Sequence, residues 1–245
     1  MSVRVQLYIT CLGENFFPNV LKDMVRVLER LGVACEFPEG QTCCGQPFYN
    51  SGFQSQTVDL ARNWLRAFGR TEGYIVAPSG SCAEFTRHRY PEMFPKGTPE
   101  HALAEETAAR TFEFSEFLTR VLKVTDVGAR FPHKVTYHPA CHLLRSMGLR
   151  EEPKQLLQAV KGLELVPLAE EENCCGFGGI FSVIYPEVSR AMMESKVKNI
   201  QASGAEYVVV GEPGCLMNIA GGLKKVEATV KPVHLIEILA AEGDR

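Results

Sequence analysis

The sequence predicts an α/β protein of two tandem, similar domains, each with a small parallel sheet flanked by helices in Rossmann-like βαβ units. Eight of the nine cysteines fall into two quartets with nearly the same spacing. Short β-branched runs alternate with amphipathic runs in both halves, which is typical of parallel sheets with crossover helices. A length of 245 residues with 45% hydrophobic content allows one large domain or two small ones. Because the quartets repeat, we place the first domain at residues 1–124 and the second at residues 125–245.

The two quartets are related by an almost constant offset along the chain. Cys11 corresponds to Cys141, the pair Cys43-Cys44 to the pair Cys174-Cys175, and Cys82 to Cys215. In each quartet the first cysteine is followed by a Cys-Cys-Gly motif and then by a last cysteine, with nearly equal gaps in the two halves. A period of about 130 residues indicates a duplicated domain rather than a solenoid.

The elements of the first half follow in the order strand, helix, strand, helix, strand. Alternation and β-branching predict the first strand at 3–10. Apolar residues at helical spacing between Val20 and Leu31 predict a helix that has Pro18 in its first turn and stops at Gly32. The next elements are a strand at 33–37, a helix at 54–68 and a strand at 74–77.

The second half repeats this order, with one difference in length. Its predicted elements are strands at 134–138, 163–168 and 207–210, and helices at 153–160 and 186–202. The first half carries extra residues after Cys82, and their Pro91, Pro95, Gly97 and Pro99 predict a loop.

This order places the cysteines at one edge of each sheet. Cys11 and Cys141 end the first strand of their halves, Cys82 and Cys215 lie just beyond the third, and the Cys-Cys-Gly pairs follow the second. Because the carboxyl ends of parallel strands share an edge where ligands bind, we expect each quartet to converge on one point.

Four converging thiolates suit an iron–sulfur cluster or zinc. Adjacent cysteines can both reach a multinuclear cluster, whereas a single zinc usually takes Cys-x-x-Cys, which neither quartet contains. The spacing therefore favours a cluster, and a zinc-binding structural or assembly module, or zinc in one half, is the alternative. Apo protein could also oxidise across a quartet, for example between Cys11 and Cys43. Cys35 lies outside the repeat and is predicted to fill core.

His138 and His142 flank Cys141, where the first half has Tyr8 and Leu12. We predict a local structural role for both histidines, with proton carrier, hydrogen-bond donor or substitute ligand as the alternatives.

Charge and hydropathy limit the location and the partners. The net charge of −3, without a charge block, predicts no nucleic-acid partner. No run reaches the length of a membrane span and the N-terminus lacks the pattern of a signal peptide, so we expect a cytoplasmic protein with no integral membrane segment.

Three stretches carry a resemblance to a known family. They are Cys43-Cys44-Gly45-Gln46-Pro47, Tyr137-His138-Pro139-Ala140-Cys141-His142 and Asn173-Cys174-Cys175-Gly176-Phe177-Gly178-Gly179. With the doubled spacing, they resemble the cysteine-rich CCG domain family, which includes the cysteine-rich subunit of heterodisulfide reductase, the glycolate oxidase iron–sulfur subunit and a lactate-utilisation branch. The resemblance is strongest to that last branch and covers essentially the whole chain.

The resemblance implies an iron–sulfur electron-transfer subunit of a 2-hydroxy-acid oxidising complex, with L-lactate to pyruvate as the expected reaction. It implies one 4Fe–4S cluster per half, held by Cys11, Cys43, Cys44 and Cys82 and by Cys141, Cys174, Cys175 and Cys215. The expected partners are a ferredoxin-type iron–sulfur protein and a third lactate-utilisation subunit. The chain would then belong to an oxidoreductase complex without acting on substrate alone.

One departure separates this chain from the heterodisulfide reductase relative. There the motif ends in Cys-x-x-Cys and five cysteines hold a noncubane cluster, whereas Ser79 and Glu212 stand at the penultimate position here. The departure argues against that cluster and against direct disulfide cleavage, and a heterodisulfide or thiol reductase subunit is kept as an alternative. Ser79 and Glu212 offer oxygen atoms at this place, and we do not assign them as ligands.

Overall fold

Each half of the chain forms a four-stranded, all-parallel sheet flanked by helices, which confirms the predicted fold class. The structure is a computed structural model and describes residues 3–242. Contacts divide the chain into two compact units, with the break between Phe117 and Leu118. The domain ranges 1–124 and 125–245 stay predictions.

The first unit has the strand order β2-β1-β3-β4. Its strands are β1 (Arg4–Leu7), β2 (Ala34–Glu36), β3 (Tyr74–Ala77) and β4 (Thr111–Glu113). Its helices are α1 (Cys11–Phe16), α2 (Pro18–Arg30), α3 (Gln46–Asn50), α4 (Gln54–Phe68), α5 (Gly80–His88), α6 (Tyr90–Met93), α7 (Pro99–Ala109) and α8 (Phe114–Glu116), and a π-helical turn follows over Phe117–Val121. The central strands β1 and β3 are mostly buried, so the core lies between them and the flanking helices.

The second unit repeats this topology with the order β6-β5-β7-β8. Its strands are β5 (Lys134–His138), β6 (Glu164–Val166), β7 (Tyr207–Val210) and β8 (Lys231–His234). Its helices are α9 (Glu152–Gln158), α10 (Phe181–Ile184), α11 (Pro186–Ala202), α12 (Pro213–Lys225) and α13 (Leu235–Ala240), with a π-helical turn over His142–Ser146.

The loop predicted after Cys82 is confirmed only for residues 94–98, because the rest of this insertion forms helices α6 and α7. Pro91 and Pro99 lie in the first turns of these helices, where a missing N–H leaves no hydrogen bond unmade. The Thr98 hydroxyl caps α7 by accepting from the His101 N–H at 3.2 Å. The prolines therefore begin helices here.

The core position predicted for Cys35 is also wrong. β2 is an edge strand, and the Cys35 side chain is only partly buried. Its thiol has only a weak contact with the Val33 carbonyl at 3.9 Å. Strand propensity does not distinguish an edge from a centre, which is why the sequence misplaced this side chain.

Across residues 3–242, no helix combines the length and apolarity needed to cross a membrane.

Candidate metal centres

The fold brings each cysteine quartet to the carboxyl edge of its own sheet. Cys11 begins α1 directly after the turn that follows β1, and Cys82 lies in the first turn of α5, which follows β3. The second unit places Cys141 just after β5 and Cys215 in the first turn of α12, which follows β7. The Cys-Cys-Gly segments reach the same edge from the loops after β2 and β6.

In the first unit the four sulfurs form a continuous cluster. The Cys11 Sγ lies 3.7 Å from the Cys43 Sγ, and the Cys44 Sγ lies 3.7 Å from the Cys82 Sγ. The Gly45 N–H donates to the Cys43 sulfur at 3.5 Å, from a φ of 85° that favours glycine. Cys44 is positioned further by the Tyr90 hydroxyl, which donates to its carbonyl at 2.8 Å.

The second unit uses the same construction with one different support. The thiols of Cys141, Cys174, Cys175 and Cys215 interact in that order, each shifting the pKa of its neighbour. The Gly176 N–H donates to the Cys174 sulfur at 3.3 Å. The Asn218 amide donates to the Cys175 carbonyl at 2.7 Å, as the first unit's tyrosine hydroxyl does for Cys44.

Each cluster contains one sulfur with a strongly stabilised thiolate. Hydrogen bonds from neighbouring thiols and from the following glycine N–H lower the pKa of Cys43 to about 3 and that of Cys174 to about 2. Hydrogen bonding to these thiolates, together with burial, raises the pKa of the neighbouring thiols, which are Cys11, Cys44, Cys141 and Cys175. A bound cation would take the place of the shared protons, since metal binding to thiols releases protons.

Burial divides each quartet into an inner and an outer pair. The inner thiols are buried, and they belong to Cys44, Cys82, Cys175 and Cys215. The outer thiols are partly exposed, and they belong to Cys11, Cys43, Cys141 and Cys174. A metal group held there would be shielded from water on one side and open on the other.

The two units differ in the side chains behind the thiols. Tyr8 and His138 stand three residues before the first cysteine of their quartets. Trp64 lies on α4, seven residues after Thr57, which faces Gly45. Lys196 lies on α11, seven residues after Ser189, which faces Gly176. All four side chains are at most 1% exposed. Trp64 and Lys196 are related by nearly the same offset as the cysteines, so their equivalence is visible in the sequence, but neither residue type suggests a site.

These four residues give the sites different polarity. Tyr8 packs edge-on against Trp64 with ring centroids 5.7 Å apart, so the first site has an aromatic wall. Burial, reinforced by the neighbouring inner thiols, raises the pKa of Tyr8 and keeps it a phenol. In the second site the Lys196 ammonium donates to the carbonyls of residues 170 and 171 at 2.9 and 3.0 Å. Burial and this ammonium lower the pKa of His138 to about 3, so its ring is neutral.

The other polar residues considered as possible ligands are Ser79, Glu212 and His142. The Ser79 hydroxyl accepts from the Cys82 N–H at 3.5 Å and so caps α5. Glu212 is buried at the N-terminus of α12. The Nδ1 of His142 lies 3.7 Å from the Cys141 sulfur.

The donor set fits a thiophilic metal group, because each quartet gathers four thiols at one sheet edge, with two sulfur pairs 3.7 Å apart in the first unit and the sulfurs of Cys175 and Cys215 within 4.8 Å in the second. Metal–sulfur bonds of about 2.3 Å around a tetrahedral ion give a sulfur separation of about 3.8 Å. Two sulfur pairs of the first unit, at 3.7 Å each, have that separation, but among the described residues no three cysteine sulfurs lie within 4.8 Å of one another. A multinuclear cluster puts each thiolate on its own metal atom and would move the sulfurs apart. In favour of a cluster, both members of each Cys-Cys pair take part in the same quartet.

Comparison with known proteins gives a family and a set of relatives. The family model of the cysteine-rich domain CCG matches residues 5–85 and 135–220. Lactate utilization protein A of Exiguobacterium sp. is 47% identical over 236 residues, which are 96% of this chain and 96% of that protein. The protein of the same name from Shouchella clausii is 46% identical over 237 residues, 97% of this chain and 98% of that protein. That of Geobacillus kaustophilus is 44% identical over 242 residues, 98% of this chain and 100% of that protein.

Solved structures give a weaker likeness. An aspartate racemase homologue from Pyrococcus horikoshii is 14% identical, with a TM-score of 0.34 over 98% of this chain and 96% of that chain. At that level the likeness bears on neither fold nor function.

Proposed function

Because this chain belongs to the cysteine-rich CCG domain family, we propose that it is an iron–sulfur electron-transfer subunit of a complex that oxidises a 2-hydroxy acid. The names of the relatives point to L-lactate, which such a complex would oxidise to pyruvate. The chain contains no flavin or nicotinamide fingerprint, so another subunit would take the hydride.

The observation that carries the proposal is the participation of adjacent cysteines in one thiol cluster. In the first cluster the Cys43 sulfur lies 3.7 Å from that of Cys11, and the Cys44 sulfur 3.7 Å from that of Cys82. In the second cluster Cys174 and Cys175 shift each other's pKa. Two neighbouring residues reach separate metal corners of a cluster more easily than two positions around one ion. We therefore assign the ligands as Cys11, Cys43, Cys44 and Cys82 for one 4Fe–4S cluster and Cys141, Cys174, Cys175 and Cys215 for another.

A bound cluster supplies one-electron oxidation and reduction, and the protein supplies the surroundings. The Gly45 and Gly176 N–H groups donate to sulfur, which stabilises the reduced form. The buried inner thiols shield one side from water, and the partly exposed outer thiols leave a short path to a partner.

The proposed partners are a ferredoxin-type iron–sulfur protein and a third lactate-utilisation subunit, all in the cytoplasm. Anaerobic co-purification from the native cell tests this assembly. If L-lactate, but not glycolate, bleaches the chain's visible absorbance in the presence of the co-purified proteins, the substrate is supported. Turnover of a disulfide by the isolated chain with an artificial reductant would instead support the reductase alternative.

The cofactor is tested by anaerobic reconstitution followed by iron and sulfide analysis. Two 4Fe–4S clusters require about eight irons and about eight sulfides per chain. A folded but colourless, iron-free protein after this treatment contradicts the proposal.

A second candidate is a zinc-binding structural or assembly module, since each of the two 3.7 Å sulfur pairs in the first unit has the separation of two ligands on one tetrahedral ion. It predicts stoichiometric zinc and no redox-active absorbance. The same metal analysis separates it from the iron–sulfur proposal.

A further inference from the structure

His138 is a buried polar side chain with no hydrogen-bond partner for either ring nitrogen among residues 3–242. It ends β5 and is 1% exposed. Leaving a buried donor or acceptor unpaired costs about 1–3 kcal/mol, so such groups in a folded protein usually have a ligand or an ordered water. A purely structural histidine in the core would be expected to use at least one ring nitrogen in a hydrogen bond.

The ring is directed into the thiol cluster of the second unit. One imidazole nitrogen and the sulfurs of Cys175 and Cys215 all lie within 4.8 Å of one another. Neutral imidazole and thiolate bind the same metals, zinc and iron among them. The three atoms therefore face a common position from which one metal atom can be reached.

We propose that His138 is a ligand of the metal centre in the second unit, so that this centre is bound by imidazole nitrogen as well as by thiolates. The inference rests on the proposed metal-binding function of the quartets and adds a donor that the cysteine motif does not contain.

The first unit shows why this donor is specific to the second site. Tyr8 occupies the equivalent position there. A phenol would donate a hydrogen bond to a cluster sulfur instead of binding the metal. The side chain behind Tyr8 is Trp64, whereas Lys196 lies behind His138.

A mixed site has a consequence for the order of electron transfer. A cluster in which a neutral imidazole takes the place of one anionic thiolate is easier to reduce, as in clusters with histidine ligands. With His138 bound in this way, the second centre should have the higher reduction potential.

The test compares the full chain with His138→Tyr, which introduces the residue that the first unit uses and keeps a polar aromatic side chain. Both are labelled with ¹⁵N-histidine, reconstituted anaerobically with iron and sulfide, reduced, and measured by pulsed EPR. We expect a nitrogen coupling of the size found for a directly bonded imidazole in the full chain, and its loss in His138→Tyr. His142→Ala is the matched control, because His142 is next to Cys141 and should leave the coupling unchanged.

The possible outcomes separate this inference from the proposed function. A cluster signal from the second unit without histidine coupling, or a coupling that survives in His138→Tyr, overturns the inference and leaves the proposed function intact. If zinc occupies the site, the proposed function fails, and X-ray absorption at the zinc edge decides the inference. A nitrogen neighbour lost in His138→Tyr supports it, whereas a sulfur-only shell overturns it. A chain that binds no metal at all overturns both.

Discussion

The two units have the same scaffold and the same thiol spacing, but they surround the thiols differently. Both have parallel sheets of the same strand order, and both support a Cys-Cys-Gly loop with a glycine N–H and a side-chain donor. The first site has the aromatic wall of Tyr8 and Trp64, while the second has His138 and a buried ammonium. A duplicated fold can therefore keep four cysteines at the same positions while the side chains buried behind them change.

The largest expected effect comes from removing one thiol in one unit. Cys43→Ser should abolish the first centre and Cys174→Ser the second, because each takes away the thiol whose thiolate is most stabilised. Iron analysis should fall from about eight to about four atoms per chain in each variant. Loss of both centres in either variant, with the protein still folded, contradicts independent sites.

Replacing the glycine of each Cys-Cys-Gly motif by alanine should lower the free energy of unfolding by different amounts in the two units. Gly45 and Gly176 both have a positive φ, of 85° and 87°. A Cβ on Gly176 would lie 2.4 Å from the Ser189 carbonyl oxygen, whereas one on Gly45 meets only side-chain carbons at 3.3 Å. Gly45→Ala should cost about 1–3 kcal/mol from backbone strain, and Gly176→Ala should cost more. Urea unfolding of the full-length variants measures the difference, and equal losses would show that the Ser189 contact relaxes.

The N-cap residue of the helix that follows the last strand differs between the two units, and it predicts a pH dependence of stability for the first unit alone. Glu113 caps α8, accepting from the N–H groups of Ser115 and Glu116, where the second unit has His234 at α13. Burial raises the pKa of Glu113 to about 8, from an ordinary value of 4.5. The folded state therefore holds the proton more tightly, so this group's stabilisation is full below pH 4.5 and is lost as the pH rises through 8.

Replacing Glu113 by glutamine should remove that dependence. The wild-type free energy of unfolding should fall with a slope of at most about 1.4 kcal/mol per pH unit from this group, and the slope should be smaller in Glu113→Gln. Denaturation at pH 5, 6.5 and 8 measures it, with the exposed Glu92→Gln as control. Identical slopes in wild type and Glu113→Gln would mean that Glu113 is ionised throughout.

The smallest effect is expected outside the repeat. Cys35→Ser changes a partly exposed thiol on an edge strand that belongs to neither quartet. Iron content should be unchanged, and stability should move by no more than about 0.5 kcal/mol. A loss of iron in this variant would show that Cys35 contributes to a centre.

Sequence periodicity and cysteine spacing predicted the long helices and the convergence of the thiols. Helices α4 and α11 lie where the apolar spacing placed them, and the thiols meet because parallel strands end at one edge. Strands β4 and β8 were missed, because β4 has three residues and β8 contains Pro232 on an edge strand of its sheet. Short edge strands form through pairing with a neighbour, which the local sequence does not encode.

The candidate site could be predicted in its thiols but not in its surroundings. Cysteines at matched offsets are recognisable because few other arrangements bring metal ligands together. Trp64 on α4 and Lys196 on α11 occupy inward positions of their helices, where a sequence pattern indicates only burial or exposure. Which residues they contact is set by the tertiary structure and not by the local sequence. The same holds for His138, whose ring nitrogens have no hydrogen-bond partner among the described residues.

The most direct test is an anaerobic redox titration of the intact, reconstituted chain followed by EPR. Two 4Fe–4S clusters, one in each unit, should give two one-electron steps that together account for about two spins per chain, with the centre of the second unit reduced first. A single step of one spin, or no signal from a folded and metal-loaded protein, would contradict the assignment of one cluster to each quartet.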